Sequence, residues 1–112
     1  MLIRTLFLCL GILFTVAAKA SDTPPFIKSG IPYDQARASL IADGWQPIIN
    51  SKISLSSLYA HEIFEQGYTE VVDCISMELD ACTFRYVKDH KTLEIRTITR
   101  ALKVDKVNLI KK

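Results

Sequence analysis

The sequence is poor in the residues that carry chemistry. It holds two histidines and three cysteines, and its four glycines are scattered along 112 residues. Scattered glycines give no glycine-rich phosphate loop. A closed zinc site needs about four ligands at tight spacing, and His61, His90 and the cysteines do not provide them. The stretch His61-Glu62-Ile63-Phe64-Glu65 approaches the zinc-protease pattern His-Glu-x-x-His, but Glu65 stands where the second imidazole is required. A small hydrolase using His61 and Glu65 is the one enzymatic reading the motifs leave. Neither histidine pairs visibly with a nucleophile, and the carboxylates read as surface rather than as a cleft pair. The expectation is therefore a chain that is not an enzyme and needs no cofactor or metal.

Long apolar runs are also absent. Spanning a bilayer takes about 20 apolar residues, and the apolar core here is the eleven-residue run Leu6–Val16. Arg4 precedes it, and Ala18-Lys19-Ala20 follows as a small-x-small cleavage site. Residues 1–20 thus read as a secretory signal peptide cut between Ala20 and Ser21, with no stable membrane span after cleavage. Bulky residues before Cys9 argue against lipidation there, and Cys9 leaves with the peptide.

Cleavage leaves 92 residues and two cysteines, Cys74 and Cys82, in the stretch DCISMELDAC. A metal site lacks ligands, and a redox pair would favour Cys-x-x-Cys. An even cysteine count in an exported chain reads as a disulfide. Closing so short a loop stabilises by roughly 2.5 kcal/mol. The expected compartment is the periplasm, with secretion as the alternative.

The charges are uneven. Without Arg4 and Lys19 the remaining chain has 12 basic and 12 acidic residues. Ile53 to Phe84 holds six acids and no Lys or Arg; Arg85 to Lys112 holds nine basic residues and three acids. Either the two halves offset each other, or the second presents a basic face to an anionic envelope component. Nucleic acid is not an expected partner in this compartment.

Ninety-two residues suit one domain with one modest core. Residues 21–30, SDTPPFIKSG, read as a flexible N-terminal arm from which Phe26 and Ile27 could tuck against the body. Residues 31–112 read as a single α+β domain. Its first helix runs from Pro32 to Asp43, with an apolar stripe through Tyr33, Ala36, Leu40 and Ile41, Arg37 along its edge, and Gly44 as its stop. A short strand from Trp45 to Pro47 follows. A second helix is expected over Leu55–Gln66, capped by Ser54, with Leu55 and Leu58 on its apolar side and Gly67 as its stop. Strands are expected over Tyr68–Ser76, Ala81–Val87 and Leu93–Ile98, with a further one over Lys103–Ile110. The predicted architecture is two helices on one face of a small antiparallel sheet with one hairpin disulfide.

The pattern P-Y-x-x-A-R-x-x-L-x-x-x-G-W-Q-P spans Pro32 to Pro47. A second block holds Gly67-Tyr68, Glu70-Val71, Cys74, Cys82-Thr83-Phe84 and Leu93 to Thr97. Together they resemble a group of small exported proteobacterial proteins of unknown function, which pairs the A-R helix and G-W turn with a Cys-loop-Cys hairpin. The group usually has a small Ser/Gly/Thr-rich loop between the cysteines and often Gly in the turn that follows. Here the loop is Ile75 to Ala81, bulkier and more acidic, and His90-Lys91 occupy the turn. The resemblance implies location and fold, and brings no catalytic residue.

Two surfaces are candidates for recognition. One is Tyr33, Arg37 and Trp45, if the tryptophan is partly exposed. The other is the hairpin tip Met77-Glu78-Leu79, where two apolar side chains on a braced loop would lose little entropy on binding. The expected function is a non-enzymatic binding module, inhibitor- or immunity-like, whose partner is another envelope protein. The alternative is an envelope accessory that binds an anionic surface through its basic C-terminal segment.

Overall fold

The computed structural model describes residues 23–77 and 79–111. The expected cleavage site at Ala20 and Ser21, and Glu78 at the hairpin tip, lie outside them. In chain order the elements are α1 (Tyr33–Ala42), β1 (Gln46–Pro47), a 3-10 turn (Ile53–Leu55), α2 (Leu58–Glu65), β2 (Val71–Ile75), β3 (Ala81–Lys88), β4 (Lys91–Ile98) and β5 (Lys103–Lys111). The architecture is α+β, with two helices and a five-stranded antiparallel sheet among the described residues.

Strand β3 is the hub. It pairs with β4 along its length, and its other edge is shared by β2 and β1, with Cys74 opposite Cys82 and Gln46 opposite Val87. β5 pairs with β4 and ends the sheet. Alternation along the strands sorts the faces. Cys82, Phe84 and Tyr86 of β3, with Leu93, Ile95 and Thr97 of β4, are buried under the helices. Tyr33, Ala36 and Leu40 of α1 and Tyr59, Ala60 and Ile63 of α2 join them in one cluster. Three- and four-residue steps supply both helical faces, and two-residue steps supply the sheet.

Both helices end alike. Gly44 and Gly67 take positive φ, at 100° and 108°. Each donates its N–H to the carbonyl three residues back, and the aromatic residue after it donates to the carbonyl five back: Trp45 to Leu40 at 3.0 Å, Tyr68 to Ile63 at 3.3 Å. This double closure satisfies carbonyls that a helix end leaves orphaned. It also explains G-W and G-Y: the glycine makes the left-handed turn, and the next side chain folds onto the core.

Several expectations need correction. α2 begins at Leu58, three residues after the predicted start, because Ser57 and not Ser54 caps it, its Oγ accepting from Ala60 N at 3.2 Å. Leu55 and Leu58 consequently face solvent, at 82% and 80% exposure. Pro32 sits one position earlier than predicted, as the extended residue before α1. β2 is shorter than Tyr68–Ser76, and the final strand forms in full. Residues 23–30 dock: Ile27 is buried, and Gly30 N donates to Val104 O at 2.7 Å.

Candidate binding surface

Two of the candidate recognition residues lie inside the molecule. Tyr33 is 1% exposed and Trp45 is 4% exposed. Four residues of helical spacing put Tyr33 and Arg37 on the same side of α1, where both reach a carboxylate the sequence reading had treated as one surface acid among six. Glu70, fully buried just before β2, accepts from Tyr33 Oη at 2.6 Å, from Tyr86 Oη at 3.2 Å and from Arg37 Nε at 2.7 Å, all on Oε2. Arg37 Nη2 reaches Oε1 at 3.2 Å, so the guanidinium grips both carboxylate oxygens. The two tyrosine hydroxyls also lie within hydrogen-bonding distance of each other, so their two protons are shared among three contacts. Burial pushes both phenols far above their usual range, and the neighbouring Glu70 adds to the effect. The Arg37 guanidinium is raised above its usual value, chiefly by its hydrogen bonds to Glu70.

The surrounding rings close this network. Tyr33 stacks on Phe84 with centroids 3.9 Å apart and meets Tyr68 edge-on at 5.4 Å. Arg37 lies over the Tyr68 ring. The A-R helix motif is thus an internal lock between α1, the start of β2 and β3, and it is not a docking surface. Trp45 packs in the core beneath Lys88, whose Nζ donates to the carbonyl of Asp43 at 2.6 Å.

The hairpin tip is different. Met77 is 74% exposed, Leu79 48% and Ile75 60%. With Ala81 and Arg96 these three line a shallow concavity of about 270 Å³. Ala81 and Arg96 alternate with buried neighbours, which places them on the sheet face opposite the helices. A second apolar recess nearby holds Ile48, Ile49 and Val72 beside Arg85. Scattered exposed apolar residues are ordinary; a cluster on one projecting hairpin is not.

The tip is also held. Cys74 and Cys82 form the expected disulfide across β2 and β3. Thr99 N, in the β4–β5 turn, donates to Leu79 O at 2.6 Å. Arg100 of the same turn lies 3.7 Å from Asp80 and 3.5 Å from Glu62, with its guanidinium 3.8 Å from the Tyr59 ring centroid. On the far side of β2, Ser57 N donates to Asp73 Oδ1 at 3.0 Å and Ser57 Oγ donates to Cys74 O at 2.9 Å. The Asp73 carboxyl is lowered by that backbone bond first. The two stems of the loop are therefore tied to the body, one through Asp73 and Cys74 and the other through Leu79, Asp80 and Cys82.

The remaining motifs stay apart. His61 Nε2 is buried with no partner among the described residues, and Glu65 is exposed at the end of α2. No cluster of three or more metal-ligating side chains occurs among the described residues. No helix among them is long and apolar enough to cross a membrane. Glu70 was missed because nothing in Tyr68-Thr69-Glu70-Val71 separates a buried acid from a surface one, and the Tyr33/Arg37 spacing defines a helix face without saying what that face meets.

Fold and surface together define a class: an α+β domain with a disulfide, consistent with an oxidising, extracytoplasmic setting, and with a braced apolar hairpin on display. Comparison with known proteins takes the assignment no further, since no family model, no curated protein and no solved structure matches the chain.

Proposed function

We propose that the chain is a non-enzymatic binding module of the periplasm that docks on another envelope protein through its hairpin tip, as an inhibitor or immunity factor does. The observation that carries this reading is the exposure of Met77 and Leu79 on a loop closed by a disulfide and tied to the β4–β5 turn. Ordering such a loop costs little on binding, so its apolar contacts go into affinity. The signal-peptide-like N-terminus and the resemblance to small exported proteobacterial proteins support the compartment.

The test is capture and reconstitution. Oxidised protein and its M77D/L79D variant are presented to envelope extract, and any captured protein is then purified and titrated against both. A partner that binds wild type at least about 100-fold tighter than the variant supports the reading, because two buried apolar anchors are each worth about 1.5–3 kcal/mol. Equal affinity for both chains would move the site off the tip.

A second reading rests on the lysines at the opposite end of the sheet. Lys88 is registered opposite Lys91, and Lys91 opposite Lys111. Such a cluster suits an anionic surface. It predicts binding to anionic vesicles or cell-wall polymer that falls steeply with salt; salt-insensitive binding would count against it.

A further inference from the structure

The two most exposed large apolar side chains among the described residues are not on the hairpin. They are Leu55, which closes the 3-10 turn, and Leu58, which opens α2. The segment that carries them is bonded to the outer border of β2. Asn50 Nδ2 donates to Val71 O and Val72 O at 3.0 and 3.1 Å, Ser56 Oγ to Val72 O at 3.0 Å, and Ser57 Oγ to Cys74 O. Ser57 N is held in turn by Asp73 Oδ1. Leu58 therefore follows directly on one side of the Ser57–Cys74 bond, and Ile75 directly on the other. The two leucines run along the border of β2 into the hairpin that displays Ile75, Met77 and Leu79. A single exposed leucine is ordinary. Five large apolar side chains gathered on one bonded framework mark an interaction site.

The charges around this border are of one sign in excess. Ile53 to Phe84 contains no Lys or Arg. Asp73 and Asp80 stand at the two stems of the loop, Glu78 stands between Met77 and Leu79 in the sequence, and Glu62 lies one helical turn beyond Leu58. Arg100 reaches Asp80 and Glu62, and Lys52 stands at the start of the 3-10 turn on the side of Ile48 and Ile49. Two cations against four carboxylates leave the border negative. Arg96, in the recess beneath the tip, is already paired with Asp105 at 2.7 Å. Lys103 and Lys106 are on β5, three strands from β2. That is about 14 Å, beyond the screening length of about 8 Å at physiological salt.

We propose that Leu55 and Leu58 join the hairpin tip in one docking surface, and that its occupant is a protein surface whose apolar centre is ringed by lysine and arginine. This rests on the hairpin reading and adds to it a second pair of anchors and the chemistry of the partner. An anionic bilayer or wall polymer is repelled from this border by its carboxylates. The lysines of the second reading lie at the other end of the sheet, so an anionic surface and this occupant would engage different ends of the molecule.

The experiment measures fluorescence anisotropy of two labelled synthetic peptides that show the partner's chemistry in its smallest form. Both are short amphipathic helices with the same leucine stripe, one with lysine and one with glutamate at every other position. They are titrated with oxidised protein expressed from the full-length sequence. Wild type is expected to bind the leucine–lysine peptide at least about tenfold tighter than the leucine–glutamate peptide. L55S/L58S and M77S/L79S keep the charge, and each is expected to weaken that binding at least about tenfold. E78K is expected to narrow the preference between the peptides. Thermal melts confirm that each variant is folded. If M77S/L79S weakens binding and L55S/L58S does not, this proposal falls and the hairpin reading stands. The reverse places docking on the β2 border alone and overturns both. Equal binding of the two peptides, a preference that E78K leaves unchanged, tighter binding to phosphatidylglycerol vesicles than to the lysine peptide, or no peptide binding by wild type up to near-millimolar concentration also overturns the proposal.

Discussion

Glu70 shows how much of this molecule depends on single side chains. It has no exposure and four donor contacts from three residues. Glu70→Ala would leave the Arg37 charge and two buried hydroxyls without their acceptor. The expected loss is about 3–5 kcal/mol in urea unfolding. The same network predicts an alkaline limit. Tyr33 and Tyr86 hold their protons in the folded state above the pH, about 10, at which unfolded tyrosine loses them. The folded state then binds more protons than the unfolded one, so stability is full below that pH and falls as pH rises past it. A spectrophotometric titration should show Tyr33 and Tyr86 ionising together with unfolding. Conversely, the turn between β3 and β4 is improvable. Asp89 and His90 both have positive φ, at 50° and 67°, in a two-residue hairpin loop that favours glycine at its second position. His90→Gly should stabilise by roughly 0.5–1 kcal/mol, the relief of left-handed strain outweighing the added freedom of the unfolded chain; a urea midpoint shift in the other direction would refute it. Tyr33 and Arg37 were legible as a pair from their spacing. Their direction was not, because an i, i+4 pair looks the same whether it meets water or a distant buried acid.

Elements read more reliably where their signals are local. Gly44 and Gly67 announced both helix ends, and the alternation Cys82-x-Phe84-x-Tyr86 announced the core face of β3. The start of α2 was misplaced because Ser54, Ser56 and Ser57 all offer caps, and the choice among them is tertiary: Ser57 is drawn to Asp73 and Cys74 on β2. Residues 23–30 read as loose from their prolines and polar residues, but they dock because Gly30 and Ile31 complete the border of β5 at Val104. The hairpin of β2 and β3 was foreseen through its cysteines; the grip of Thr99 and Arg100 on its tip was not, since that contact joins turns about 20 residues apart. Two restraints of different kind make a prediction. Replacing both cysteines by alanine should cost about 2–4 kcal/mol, yet the tip should keep measurable hydrogen-exchange protection at Thr99, whose N–H bonds to Leu79. Loss of protection there to the level of an exposed loop would show that the disulfide alone holds the tip.

At the scale of the whole molecule, the uneven charge is only partly reconciled. Among the described residues, Arg100 is the basic residue that crosses from the C-terminal half to the acidic middle, reaching Glu62 and Asp80. Arg85–Glu94 and Arg96–Asp105 pair within the C-terminal half itself. Sequence composition could show the imbalance; it could not show that neighbouring strands of one segment settle much of it locally. The lock around Glu70 has a consequence in time as well. Its hydrogen bonds span 16 to 53 residues along the chain, whereas β3, β4 and β5 meet through short turns. Contacts of long sequence separation carry the larger closure entropy. The meander should therefore assemble first, and α1 should fasten to it late, by closing its tyrosine and arginine on the waiting carboxylate. Stopped-flow chevrons of Glu70→Ala are expected to show a faster unfolding arm and a nearly unchanged folding arm; a folding arm slowed in proportion to the lost stability would place the lock in the nucleus instead. In kinetic terms the Tyr33–Arg37–Glu70–Tyr86 cluster is a latch: it does little to bring the chain together, and it sets how long the folded chain stays shut.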